Sequence, residues 1–236
     1  MLKIELWSDF SCPFCYIGKT RFDQALKEFE HKDQTEVVYK AYMLNPYAPK
    51  EMIESPEVAF AKSHNMTPEQ AKERFKMFTA AAKEVGLVYN YDIMQMTNTF
   101  DAHRVAKYAN TLGLEAKLTT RFMKAYFSEG KNLADFDTLL NLSKEIGLDE
   151  TEVKEVLNSD KFTDIVNQQI SEARQVGVQG VPFFVLDRKF GISGAQQLDY
   201  FKQALDYVWN ENHKEELKTL ESEEKGHVCN DETCEI

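Results

Sequence analysis

Two cysteines separated by two residues, Cys12 and Cys15, stand where a predicted strand runs into a predicted helix. Residues 2–7 alternate apolar and polar side chains, as a half-buried strand does. Apolar residues recur at helical spacing after Cys15, and Pro13 suits the first turn of a helix, where no N–H partner is needed. The pattern predicts a strand–turn–helix unit with Cys12 at the helix start and Cys15 about one turn further in.

This placement indicates thiol–disulfide chemistry. Unpaired N–H groups and the dipole of the helix favour the thiolate form of Cys12, the form that attacks a disulfide. Cys15 is then placed to resolve the mixed disulfide. The alternatives are a pair of inert buried cysteines or half of a zinc site. We predict a redox pair in which Cys12 is the more reactive thiol towards alkylating agents and Cys15 is shielded.

Composition excludes several other classes of protein. With 236 residues, 43% of them hydrophobic, the chain can bury a sizeable core, and its four cysteines do not make a disulfide scaffold. The net charge of −11 argues against nucleic acid or an anionic membrane surface as partner, and no apolar run reaches transmembrane length. The chain begins directly in a predicted strand without the features of a signal peptide, so we expect a cytoplasmic protein.

The order of predicted elements describes an α/β fold whose sheet is interrupted by helices. Residues 35–42 form a second strand, parallel to the first because a helix connects them. From about 55 to 176 the pattern is helical, with a capping box at Thr67-Pro68-Glu69-Gln70. Strand character returns in a hairpin at 183–192, and a last helix begins near Gln196. The predicted domains are 1–50 and 177–215 for the sheet, 51–176 for the helical insertion and 216–236 for an acidic mobile tail.

Three motifs together resemble one known family. They are residues 9–19 around the cysteine pair, residues 98–104 in the helical region and residues 180–185 ahead of the hairpin. In this combination they are similar to the DsbA-like branch of the thioredoxin superfamily, FrnE-type proteins in particular. The resemblance implies a thioredoxin-like fold with a large inserted all-helical domain. It also implies a DsbA-like protein disulfide oxidoreductase that acts on protein, peptide or small-molecule disulfides, with glutathione or another thiol as a further partner and no cofactor or metal.

Two residues distinguish this chain from relatives of that branch. The related 2-hydroxychromene-2-carboxylate isomerases and kappa-class glutathione transferases usually have serine at the position of Cys12 and lack the pair. Because this chain keeps both thiols, dithiol redox chemistry is favoured over a glutathione-dependent isomerase or transferase. Phe14 stands where periplasmic DsbA has histidine, and a phenyl ring cannot stabilise a thiolate as an imidazolium does, which weighs against strong oxidising power. A third alternative is a non-catalytic chaperone-like or metal-binding module.

The resemblance also suggests roles around the cysteine pair. It implies a cis peptide bond between Val181 and Pro182, next to the active cysteines, and the proline leaves the backbone of Val181 free to pair with an extended substrate. Phe14 and Pro13 are candidates for substrate contact. His103 is a candidate for tuning a thiol, against the alternative of an ordinary surface or capping histidine.

A second pair of cysteines, Cys229 and Cys234, lies in the acidic tail. One interpretation is a second redox pair that exchanges with Cys12 and Cys15. The others are a zinc site completed by His227 and an outside ligand, or two spectator thiols.

Overall fold

The fold centres on one four-stranded sheet in the order β2-β1-β3-β4, seen in a computed structural model that describes residues 1–213. β1 is parallel to β2 and antiparallel to β3, and β3 forms a hairpin with β4. The predicted parallel pair and the predicted hairpin are thereby confirmed. The strands are β1 (Leu2–Ser8), β2 (Thr35–Ala41), β3 (Phe183–Leu186) and β4 (Phe190–Ser193). The helices are α1 (Pro13–Glu28), α2 (Pro56–Ser63), α3 (Pro68–Glu84), α4 (Phe100–Thr111), α5 (Glu115–Glu129), α6 (Phe136–Glu145), α7 (Glu150–Leu157), α8 (Thr163–Gln175) and α9 (Leu198–Asn212), with a 3-10 turn at Lys32–Gln34.

β1 lies in the middle of the sheet and is covered on both faces. Its apolar side chains on one face pack with Phe22 of α1 and Phe201 of α9. On the opposite face Trp7 packs near α8, and its indole N–H donates to the carbonyl of Gln169. The polar residue Glu5 is also buried, because Lys40 lies 3.1 Å away as its counter-ion. Burial on both faces explains why a strand that alternates in sequence does not alternate in exposure.

The structured elements between β2 and β3 are the seven helices α2 to α8. This confirms the thioredoxin-like fold with an all-helical insertion. The predicted capping box is also present: the Thr67 hydroxyl accepts from the Gln70 N–H and the Gln70 side chain accepts from the Thr67 N–H. The domain boundaries drawn from the sequence stay predictions, and the tail lies outside the described residues. Of the helices within residues 1–213, none has the length and apolarity that a membrane span requires.

The last helix begins slightly later than the sequence suggests. α9 starts at Leu198 with Gln197 as its N-cap residue, rather than near Gln196. The Gln196 side chain donates to the carbonyl of Ser193, and its backbone N–H donates to the carbonyl of Gly194. These two bonds hold residues 193–196 as a turn between β4 and the helix.

A buried ion pair joins the helical insertion to the sheet. The Lys107 Nζ of α4 lies 2.5 Å from the Glu115 Oε1 of α5 and donates at 2.7 Å to the carbonyl of Tyr39 in β2. Burial lowers the pKa of Lys107 and raises that of Glu115, and in each case the attraction of the partner opposes the shift. One lysine therefore ties two insertion helices to an edge strand.

Candidate active site

The cysteine pair occupies the first turn of α1. Cys12 is the N-cap residue and Pro13 the first helical residue, as the sequence predicts. The N–H of Cys15 donates to the Cys12 sulfur at 3.3 Å, and the N–H of Cys12 donates to the carbonyl of Asp9 at 3.2 Å. Both cysteines are free thiols. The Cys12 sulfur thus accepts one of the backbone donors that the start of a helix leaves without an intrahelical partner.

The two thiols have different surroundings, although both side chains are buried. Cys12 is 4% exposed and lines a cavity, whereas Cys15 is 1% exposed and does not line it. Burial and the adjacent Cys12 sulfur raise the pKa of the Cys15 thiol well above its usual value, against smaller opposing contributions from Ser8 and Asp9. Cys15 is therefore protonated and shielded in the reduced protein.

A loop from the other half of the sheet completes the site. The Val181–Pro182 peptide bond is cis, and the Cys12 Sγ lies 3.5 Å from the Val181 carbonyl oxygen, to which the thiol can donate. Both the cis bond and its place beside the cysteines are confirmed. Gly18 permits this approach, because a Cβ there would lie 2.9 Å from the Pro182 Cγ and 3.3 Å from Ala195. Sequence reasoning assigned Gly18 no role, although it stands inside the motif around the pair.

Substituting Gly18 tests this packing. We expect Gly18→Ala to destabilise the protein by about 1–3 kcal/mol, because the new methyl group pushes the Pro182 loop away from α1. An alanine in a helix interior would otherwise stabilise by up to about 1 kcal/mol. The measurement is the free energy of unfolding in urea. Gly180→Ala is the matched control, since a Cβ there meets no atom within 4 Å, and an equal or larger loss in the control would contradict the interpretation.

Asp9 organises the turn that carries the cysteines. Its carboxylate is buried and accepts hydrogen bonds from the Ser11 N–H at 3.2 Å, the Thr99 hydroxyl at 2.8 Å and the Leu44 N–H at 2.7 Å. Burial alone would raise the pKa of Asp9, but His103, Leu44 and Thr99 together hold it below its usual value. A single ionised carboxylate thus links the start of α1, the segment after β2 and the start of α4.

Sequence reasoning missed this carboxylate. Thr99, one of its partners, occupies the N-cap position of α4. Its side chain makes no capping bond there, because its hydroxyl donates to Asp9 instead. The available signal was the position of Asp9, three residues before the pair and within the same motif.

His103 lies behind this carboxylate. Its Nε2 is 3.7 Å from the Asp9 Oδ1, and its ring centroid is 4.7 Å from that of Phe10. The Nε2 is buried and has no hydrogen-bond partner among the described residues. A protonated His103 would form an ion pair with Asp9, so any influence on the thiols would pass through the Asp9 turn. The tuning role stays a prediction.

A cavity of about 640 Å³ opens beside the first turn of α1. Four of the predicted site residues line it, namely Cys12, Pro13, Phe14 and Val181. Phe14 is 42% exposed, and its ring meets that of Phe78 from α3 edge to face at 5.4 Å. Cys15, Pro182 and His103 do not line it, and the remaining two predicted site residues, Cys229 and Cys234, lie outside the described residues. Within residues 1–213 there is no cluster of three or more histidine, cysteine, aspartate or glutamate side chains that would hold a metal ion.

Comparison with known proteins shows the family to which the chain belongs. The family model described as the DSBA-like thioredoxin domain matches residues 3–206 of this sequence. The crystal structure of a probable DsbA oxidoreductase from Streptomyces coelicolor superposes with a TM-score of 0.84 at 34% identity, covering 100% of this chain and 99% of that one. The uncharacterized protein YwbO of Bacillus subtilis (strain 168) is 26% identical over 208 residues, 86% of this chain and 96% of its own. A 2-hydroxychromene-2-carboxylate isomerase shares the fold, with a TM-score of 0.66 at 18% identity over 89% of this chain and 97% of that one. The chain belongs to the DsbA-like thioredoxin family.

Proposed function

We propose that this protein is a thiol–disulfide oxidoreductase that reacts with protein, peptide or small-molecule disulfides through Cys12 and Cys15. The observation that carries the proposal is the position of the Cys12 sulfur. It lies at the N-cap of α1, accepts the Cys15 N–H, faces a cavity and stands 3.5 Å from the carbonyl before a cis proline. The positive end of the helix dipole favours a negative charge at this place.

In the reducing direction, the exchange takes two steps. The Cys12 thiolate attacks one sulfur of the substrate disulfide, the substrate S–S bond breaks, and one substrate thiolate leaves and takes up a proton. The Cys15 thiol then gives up its proton and attacks the Cys12 sulfur, which releases the second substrate thiol. Two electrons have passed to the substrate, and Cys12 and Cys15 are joined by a disulfide. The oxidising direction reverses both steps.

Equilibration with glutathione redox buffers tests the proposal. Reduced protein is incubated at graded ratios of reduced to oxidised glutathione, the free thiols are alkylated, and the peptides are analysed by mass spectrometry. We expect one two-electron transition that forms the Cys12–Cys15 disulfide, and its midpoint gives the reduction potential. A Cys15→Ser variant should accumulate the mixed disulfide on Cys12 instead. If Cys12 and Cys15 stay reduced at every ratio and also stay reduced in excess 2-hydroxyethyl disulfide, the proposal is wrong.

The order of alkylation distinguishes the roles of the two cysteines. With limiting iodoacetamide we expect Cys12 to be labelled at least about 10-fold faster than Cys15, because the raised pKa of the Cys15 thiol leaves little of the thiolate that reacts. Quantitative mass spectrometry of the tryptic peptides gives the two rates. Denatured protein serves as the control, since its two thiols should react at similar rates. Faster labelling of Cys15 in the native protein would reverse the assignment.

Two finer parts of the proposal rest on the sequence. One is a cytoplasmic location. The other is exchange between the pair at α1 and the tail pair Cys229 and Cys234. The second part is tested by replacing both tail cysteines with serine and by searching a Cys15→Ser protein for a disulfide between Cys12 and the tail. Unchanged turnover without a trapped disulfide would reject the exchange, and stoichiometric zinc on the tail thiols would replace it with a metal site.

A further inference from the structure

The cavity beside Cys12 has walls of one chemical character. It lies between the first turn of α1, the segment of residues 44–54, α2, α3, the segment of residues 91–99 before α4 and the last part of α5. Ten of the 24 lining residues carry an aromatic ring or a thioether, and both kinds of group contact aromatic ligands favourably. The side chains that define these walls are Met52, Phe60, Phe78, Tyr91, Met94 and Phe127.

Charge is nearly absent from the same walls. No lysine or arginine is found among the lining residues in the described part of the chain. The one lining carboxylate, Glu54, is paired with Lys62, which itself does not line the cavity. The lining histidine, His64, is exposed, and its Nδ1 lies 3.0 Å from the carbonyl of Phe60. A negatively charged group deep in the cavity would therefore find no lysine or arginine to pair with, and beyond the first turn of α1 its loss of water would be unfavourable.

The cavity is also close to the reacting atom and large enough for a ligand. Its volume of about 640 Å³ falls within the range of pockets that hold small organic molecules, roughly 300–1,000 Å³. The Cys12 side chain forms part of its wall, so a disulfide under attack by Cys12 has one of its substituents inside the cavity. The rim adds two exposed apolar residues, Leu44 at 51% and Ile53 at 92% exposure.

We infer that the cavity binds an uncharged aromatic or aliphatic group attached to the substrate disulfide, and that it discriminates against anionic disulfides, oxidised glutathione included. The inference rests on the proposed function and specifies its substrate class. The attack by Cys12 is the balanced step given above: one substrate S–S bond breaks, a mixed disulfide forms, and a substrate thiol leaves with a proton. The apolar group stays in the cavity until Cys15 releases it.

Matched disulfides test the inference. N,N′-Dibenzoylcystamine is uncharged and aromatic. N,N′-Disuccinylcystamine has the same acylated cysteamine linkage around its disulfide but carries carboxylates. Each is mixed in excess with reduced protein, the reaction is quenched with acid, and the released thiol is quantified by chromatography. We expect the benzoyl compound to react at least about 100-fold faster than the succinyl compound. Oxidised glutathione should be similarly slow, whereas equal rates for the charged and uncharged compounds would overturn the inference.

Substitutions in the walls locate the effect. Ala59 of α2 lines the cavity, so Ala59→Phe should reduce the volume and slow the benzoyl compound by about 10-fold. 2-Hydroxyethyl disulfide, which is small, should be slowed much less than the benzoyl compound. Ala80→Phe on the exposed side of α3 is the matched control. At the rim, Ile53→Arg should accelerate the succinyl compound by about threefold to fivefold, and Ile53→Gln should not. Equal effects of Ala59→Phe on both uncharged disulfides would contradict the assignment of the cavity.

A binding measurement separates this inference from the proposed function. N-Benzoyl-S-methylcysteamine cannot undergo exchange, and its binding to the reduced protein is followed by titration calorimetry. Binding that Ala59→Phe weakens would support the cavity even if no disulfide oxidised Cys12 and Cys15. Oxidation of the pair by 2-hydroxyethyl disulfide without any binding of the thioether would leave the proposed function intact and reject the cavity as a substrate site.

Discussion

Replacing Cys12 with serine is expected to reduce dithiothreitol-driven reduction of insulin by at least about 1,000-fold. The reason is chemical, because a serine hydroxyl stays protonated near neutral pH and does not attack a disulfide. The fold should survive the change, since serine is among the preferred N-cap residues and its oxygen can accept the Cys15 N–H in place of the sulfur. The measurement is initial turnover, with the melting temperature of the variant as evidence of folding.

Cys15→Ser is the informative companion variant. It keeps the attacking thiol, so the first step should proceed and the mixed disulfide on Cys12 should accumulate, with slow release by external dithiothreitol. Mass spectrometry of the quenched reaction detects this adduct. If the Cys12→Ser variant keeps turnover within about 10-fold of the unmodified protein, or if the adduct forms on Cys15, the assignment of roles fails.

The largest expected effect on stability comes from Lys107. Lys107→Met leaves the Glu115 carboxylate buried without its counter-ion and removes the donor to the Tyr39 carbonyl. Breaking a buried pair by removing one partner typically costs about 3–5 kcal/mol. We expect a loss of this size in the free energy of unfolding in urea. The double variant Lys107→Met/Glu115→Leu should recover most of it, because no unpaired charge remains.

The stability loss caused by Lys107→Met should depend on pH in a definite direction. Burial already raises the pKa of Glu115 in the folded protein, and loss of Lys107 should raise it further. A carboxyl whose folded pKa exceeds its unfolded pKa contributes stability below the unfolded value and loses that contribution as the pH rises through the folded value. The loss in the free energy of unfolding caused by Lys107→Met should therefore be larger at about pH 8 than at about pH 5. A deficit that does not depend on pH, or one below about 1 kcal/mol, would contradict the buried-charge argument.

Local patterns were sufficient to predict several elements of the fold. β1, the start of α1 at the cysteine pair and the capping box at Thr67 each depend on residues a few positions apart, so their physical causes are visible in a short stretch of sequence. The thioredoxin-like arrangement and the cis bond before Pro182 came from the resemblance of three separated motifs. Periodicity alone does not determine which strands pair.

The missed features depend on contacts between distant segments. In the sequence, nothing distinguishes Asp9 from an ordinary loop residue. In the structure, the Leu44 N–H and the Thr99 hydroxyl donate hydrogen bonds to its carboxylate. Lys107 and Glu115 read as solvated charges on helix surfaces, and their burial follows from the packing of α4 and α5 against β2. In each case a polar side chain is buried because its partner comes from another part of the chain, and a single sequence does not reveal that partner.

The Cys12–Val181 contact has a consequence for synthesis of the protein. The two residues are 169 positions apart, and Val181 reaches Cys12 on the loop that leads into β3, which pairs with β1. A ribosome adds residues at about 5–20 per second, and the N-terminal part of the chain leaves the ribosome first. Cys12 and Cys15 therefore emerge early and remain without their covering loop until residues 181–186 have followed. For that interval the nascent chain carries a dithiol that its own fold does not yet shield.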